Sequence, residues 1–134
     1  MERANQSARL IAEFMCKQPI VEEVNYLGFL EEGSPEAKLF AKQCKSAGST
    51  FSFTVKGGRE AAFKILNRFQ LIKLAVSLGG TESLVCHPAS TTHSGIPSKE
   101  RDELGITEGS IRLSIGIEDP GDLLADIEQA LKIA

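Results

Sequence analysis

Ser110-Ile111-Arg112-Leu113-Ser114-Ile115-Gly116-Ile117 alternates apolar and polar residues without a break. Alternation with period two is the mark of a half-buried β-strand, so Ile111, Leu113, Ile115 and Ile117 face a core. Ser110, Arg112, Ser114 and Gly116 take the other face, where small neighbours leave room beside one guanidinium.

Directly after this strand, Asp119-Pro120 reads as an N-cap followed by proline at the first helical position. Leu123, Leu124, Ile127, Ala130 and Leu131 then recur at helical spacing. Before it, Ser49 to Lys56 alternates in the same way, with Phe51, Phe53 and Val55 on one side. Helical stripes lie at Ala4, Ala8, Ile11 and Met15, ending before Pro19, and at Ala61, Ala62, Ile65, Leu66 and Phe69 after the breaker Gly57-Gly58. Ser34 caps a helix that opens at Pro35 and runs to about Cys44. Val21 to Leu27, Leu71 to Val76 and Ser83 to Cys86 read as further strands. A small helix falls near Lys99 to Leu104, and the polar stretch Ala89 to Lys99 is the longest candidate for a functional loop.

Strands and helices therefore alternate, which predicts an α/β, two-layer (α+β) arrangement: a small, mostly antiparallel or mixed sheet with helices on one face. At 134 residues the chain suits one domain. Fifteen basic against eighteen acidic residues, interspersed along the chain, give a formal charge of −3. No basic patch is concentrated enough for nucleic acid. No apolar run reaches the roughly 20 residues of a membrane span, so a cytoplasmic location is expected. Cys16, Cys44 and Cys86 lack CxxC spacing and read as free thiols, at least two of them buried and inert.

Arg112 is the first candidate for chemistry, because a planar fork suits a carboxylate or phosphate. A surface ion pair is the plainer use of the same residue, and periodicity leaves both open. Ser77-Leu78-Gly79-Gly80 follows an apolar run and offers amides and a hydroxyl to an anion, although it matches no phosphate-binding fingerprint. His87 and His93 near Cys86 lack a fourth metal ligand, and they read better as hydrogen-bonded loop residues than as parts of a zinc site or a Ser or Cys triad. Glu31, Glu32, Glu118, Asp119 and Asp122 are accounted for by capping and helix dipoles.

Several motifs in order carry a resemblance. Ser77-Leu78-Gly79-Gly80-Thr81-Glu82-Ser83-Leu84, His87-Pro88-Ala89-Ser90 with Thr92-His93, Gly105-Ile106 and Ile111 to Asp119 resemble the C-terminal signature of the Cys/Met metabolism pyridoxal-phosphate enzymes. Cystathionine γ-synthase, the cystathionine lyases, methionine γ-lyase and the homoserine-ester sulfhydrylases make up that family. The resemblance implies the C-terminal, substrate-binding domain of a fold-type I pyridoxal-phosphate enzyme over residues 1–134, with the large cofactor-binding domain outside this chain. It makes Arg112 the anchor of the substrate α-carboxylate. The resemblance also implies that Ser77 lines the same pocket, with Leu78 close by. Val76 is a position where some relatives carry an acid, and a neutral side chain favours a methionine γ-lyase or sulfhydrylase type of substrate.

The resemblance also implies γ-elimination or γ-replacement on a sulfur amino acid or homoserine ester, in a parent enzyme that is a homo-oligomer, typically a tetramer. None of the nine lysines stands in the Ser-x-Thr-Lys type of run that holds the cofactor in relatives. The chain alone is therefore expected to contain no catalytic or cofactor-binding residue and to be inert. The alternatives are a stand-alone amino-acid-binding or interaction module, and a structural remnant that packs on a partner.

Overall fold

The alternating strand is the hub of the sheet. In the computed structural model, which describes residues 1–132, β5 (Ser110–Ser114) pairs antiparallel with β2 (Thr50–Val55) on one side and β4 (Leu84–Cys86) on the other. β1 (Val21–Asn25) adds antiparallel to β2, and β3 (Lys73–Leu74) adds parallel to β4. The order β1-β2-β5-β4-β3 makes the expected mixed, mostly antiparallel sheet. Its registers set Ile111 opposite Phe53, and Arg112 between Ser52 and Cys86.

Three helices bring the apolar stripes that cover the sheet, α1 (Glu2–Met15), α3 (Gly58–Leu66) and α5 (Pro120–Leu131), while the short α4 (Ser98–Glu103), expected near Lys99 to Leu104, buries no residue. Ala8, Ile11 and Met15, Ala62 and Ile65, and Leu123 and Ile127 are fully buried, in one cluster with Phe53, Ile111, Leu113 and Ile115. Each large side chain so removed from water contributes about 1.5–3 kcal/mol relative to exposure. The caps are those expected: Ser34 Oγ accepts from Ala37 N at the start of α2 (Pro35–Gln43), and Asp119 Oδ1 accepts from Gly121 N and Asp122 N.

Some boundaries differ from expectation for identifiable reasons. β1 stops at Asn25 because the next residues make a single 3₁₀ turn, Leu27–Phe29, around the buried Tyr26 ring. Tyr26 meets Phe29 and Phe51 edge-on at 5.1 and 5.8 Å, and its burial pushes the phenol pKa up. Gly28 lies so close to that ring that a Cβ there would overlap it. β5 ends at Ser114: the Ile115 amide still bonds Ser49, but the Ile117 amide turns to Thr81, and Ile117 is left 48% exposed. Cys86 is buried, whereas Cys16 and Cys44 are exposed, against the expectation of two buried thiols. Both sit at helix C-termini, away from the core-facing stripes.

The run Leu71 to Val76 yields only the two-residue β3. The amides that would extend it are taken by Asp126, a buried carboxylate on α5 that sequence reading passed over. Asp126 Oδ1 accepts from Gln70 N, and Oδ2 from Leu71 N and Ile72 N, each at 2.9 Å. Gln129 Nε2 adds a fourth contact at 3.0 Å. Three backbone donors on one carboxylate fasten α5 to the segment entering the sheet edge. Asp126→Ala leaves those donors without their charged acceptor, and urea unfolding is expected to show a loss of about 3 kcal/mol.

Candidate functional site

Beyond Asp126 the chain runs through β3 into Val76–Ser83, and β5 with its extension holds this loop at every second residue. Arg112 Nη2 donates to the carbonyls of Val76 (2.7 Å) and Ser77 (3.2 Å). Ser114 Oγ accepts from Gly79 N at 2.8 Å. The Gly116 amide donates to Ser83 Oγ at 2.8 Å. Glu118 accepts from Ser83 twice, from the amide at 2.6 Å and from the hydroxyl at 2.8 Å. Positions 112, 114, 116 and 118 thus meet 76–77, 79 and 83 in order, side by side and in the same direction.

Each rung has a reason in the sequence. Serine at 114 supplies a short acceptor where a longer side chain would push the loop off. Gly116 is required by close approach, since a Cβ there would overlap the Thr81 carbonyl and come within 2.6 Å of the Glu82 backbone. Ser83 is fully buried, and its hydroxyl is satisfied as acceptor from Gly116 and donor to Glu118. Glu118 therefore ties a loop and does not serve the helix-end role expected of it.

Sequence reasoning singled out Arg112, Ser77, Val76 and Leu78, and the structure brings Arg112 together with the backbone of Val76 and Ser77. The Val76 and Leu78 side chains are 56% and 55% exposed beside it. Arg112 is partly exposed, between the small Ser52 and the buried Cys86. Among the described residues no acidic side chain lies within ion-pair distance of it, whereas Arg9, Arg59 and Arg101 each have a glutamate. Carbonyl oxygens orient the guanidinium without cancelling its charge. The Gly79 amide, counted among possible anion donors, is already spent on Ser114. A cavity of about 390 Å³ adjoins this place, with Val76, Cys86, Phe63, Leu66 and Ser90 in its wall.

The loop Ala89 to Lys99 is organised by His87, which is 2% exposed. Its Nε2 bonds the Glu108 carbonyl at 2.9 Å, so that nitrogen carries the proton, and Nδ1 accepts from Ser90 Oγ at 2.8 Å. Both ring nitrogens are committed, which leaves His87 holding the fold together, as read from the sequence. Among the described residues no three His, Cys, Asp or Glu side chains converge to hold a metal ion, and no helix is long and apolar enough to cross a membrane.

The profile of the family described as Cys/Met metabolism PLP-dependent enzyme matches residues 1–132. The chain belongs to this family. It is 48% identical over 132 residues to an L-methionine gamma-lyase of Fusobacterium nucleatum subsp. nucleatum, covering 98% of this chain and 33% of that protein. A cystathionine gamma-lyase of Sus scrofa is 41% identical over 134 residues, again over 33% of its length. Among solved structures, a cystathionine γ-lyase from Micromonospora echinospora superposes with a TM-score of 0.90 at 39% identity, over 99% of this chain and 34% of that one. The chain thus spans about a third of the length of the relatives it matches.

Family membership implies pyridoxal phosphate in the parent enzyme, and the residues present can be tested against it. All nine lysines are exposed, and Lys56, Lys64, Lys73 and Lys132 are tied to surface carbonyls or glutamates. Lys17 and Lys45 border surface cavities of about 360 and 490 Å³ that are open to solvent, so the exposed lysines do not fit a group held in an enclosed site. Because Gly116 admits no side chain, Gly116→Ala should displace the loop backbone and lower stability by about 2 kcal/mol or more, with faster amide hydrogen exchange at Gly79 and Ser83 as the local readout.

Proposed function

We propose that this chain is the C-terminal, substrate-binding domain of a pyridoxal-phosphate enzyme acting on a sulfur amino acid or homoserine ester by γ-elimination or γ-replacement. In this reading Arg112 anchors the substrate α-carboxylate. One observation carries it: a partly exposed guanidinium is held by backbone carbonyls through Nη2 and has no acidic partner among the described residues. The guanidinium has further N–H donors and an uncancelled charge to offer a carboxylate, and a charge-assisted pair of this kind is stronger than neutral hydrogen bonds. Gripping the carboxylate fixes where the rest of the amino acid lies, which is the contribution of positioning to rate.

Ser77, Val76 and Leu78 border the anchor, and the uncharged Val76 side chain lines the adjoining cavity. An apolar wall there suits a thioether such as that of methionine better than a charged distal group. The relatives support the class, since the proteins matched include methionine and cystathionine γ-lyases beside a cystathionine β-lyase. A Campylobacter jejuni structure described as an O-acetylhomoserine (thiol)-lyase, matched over 31% of its length, carries a pyridoxyl-lysine at its position 205. The lysine for this protein is assigned to a large domain outside residues 1–134, and the assembled enzyme to a homo-oligomer.

The test is to exchange the matching third of the Fusobacterium methionine γ-lyase for this chain and follow thiol release from L-methionine. The exchanged enzyme is expected to turn over, and Arg112→Ala to lower kcat/KM about 10- to 100-fold, the equivalent of ~1.5–3 kcal/mol. Arg112→Lys should recover only part, because an ammonium lacks the fork. Unchanged kinetics on Arg112→Ala would remove the anchor role. By itself, the 134-residue chain should carry no pyridoxal phosphate through gel filtration.

A further inference from the structure

The four rungs between residues 112–118 and the loop suggest more than loop packing. Arg112 is long and partly exposed, and a side chain of that kind ordinarily samples many rotamers, so fixing one costs entropy. What fixes it here is the pair of carbonyls at Val76 and Ser77. Those carbonyls belong to a loop that makes few apolar contacts, since residues 76–82 are exposed. The loop is held from the far side by Ser114 on Gly79 and by Glu118 on Ser83.

We infer that Ser114 and Glu118 are positioning residues for Arg112: by clamping the Val76–Ser83 loop they hold the carbonyls that set the direction of its guanidinium. Neither touches Arg112. Ser114 acts two residues beyond the Ser77 carbonyl, and Glu118 closes the loop's far end through the buried Ser83 hydroxyl. Releasing either rung lets the carbonyl pair drift, and the fork loses its fixed approach to a ligand. The inference shares its second test with the proposed function but does not need that function for its first.

The first test uses the ¹⁵N-labelled 134-residue chain and reads the order parameter of the Arg112 Nε–Hε group. Ser114→Ala and Glu118→Ala should each lower it from roughly 0.8 to below about 0.6, with the Ile111 and Leu113 amides unchanged. Ser114→Thr keeps the hydroxyl and should keep the order. Thr54→Ala is the control, because it removes a hydroxyl 3.4 Å from Ser110 on the same sheet without touching the loop. An Arg112 that stays ordered in both variants, or loosens equally in Thr54→Ala, overturns the inference. If Ser114→Ala does not fold, Glu118→Ala decides by the same reading.

The second test places the same variants in the exchanged enzyme used for Arg112. KM for L-methionine should rise about tenfold with kcat within about twofold, the pattern of weakened binding with intact chemistry. A mobile Arg112 with unchanged KM leaves the positioning standing and overturns the carboxylate anchor instead. The two ideas therefore fail separately.

Discussion

The match between a strand that repeats every two residues and a loop that lies along it is the constraint on which the rest of the site depends. β5 must alternate to bury Ile111 and Leu113, so positions 112 and 114 emerge together on the other face. Once they do, hydroxyl, glycine and carboxylate at 114, 116 and 118 meet the loop at successive points. The burial that holds the sheet together thus also decides where the guanidinium points. A one-residue slip in pairing would carry Arg112 into the core and leave every rung without a partner.

Asp126 does the complementary work at the loop's entrance. Its carboxylate gathers three amides just before β3, while Glu118 gathers the amide and hydroxyl of Ser83 just before β4. The stretch from Gln70 to Ser83 is therefore held at both ends by carboxylates, and at its start the donors are amides that a longer β3 would have used within the sheet. This explains why an apolar run of strand-like composition contributes only two residues to a ladder. The stretch is held by side-chain acceptors, which cost fewer ordered residues than another full strand.

Much of this was legible in the sequence, and what was not has a common cause. β2, β5, α1, α3 and α5 could be read because burial imposes periods of 2 and 3.6 on apolar residues, and Ser34 and Asp119 because capping acts within three residues. Arg112, Val76 and Ser77 were joined by ordered motifs, although spacing alone did not say that the contact runs through backbone carbonyls. Asp126 and Glu118 were missed or misread because their partners lie 54 to 56 and 35 residues away. A carboxylate in a helix, or one just before a cap, carries no local sign that a distant amide is aimed at it. Gly116 offered the best missed signal: a glycine inside an alternating strand marks a close backbone approach.

The choice of carbonyls over a carboxylate to hold Arg112 bears on what the site can bind. Had an aspartate or glutamate fixed the guanidinium, an incoming carboxylate would have had to compete with a full opposite charge. Arg59 and Arg101 show that arrangement, both resting on Glu108. Two peptide oxygens give direction through partial charges and leave the positive charge available. They also come from a loop that Ser114 and Glu118 hold at points away from Arg112, so the contacts that direct the guanidinium and the charge it carries belong to different residues. If Arg112 is the anchor proposed above, such an arrangement lets it be tuned at 114 and 118 without altering the arginine.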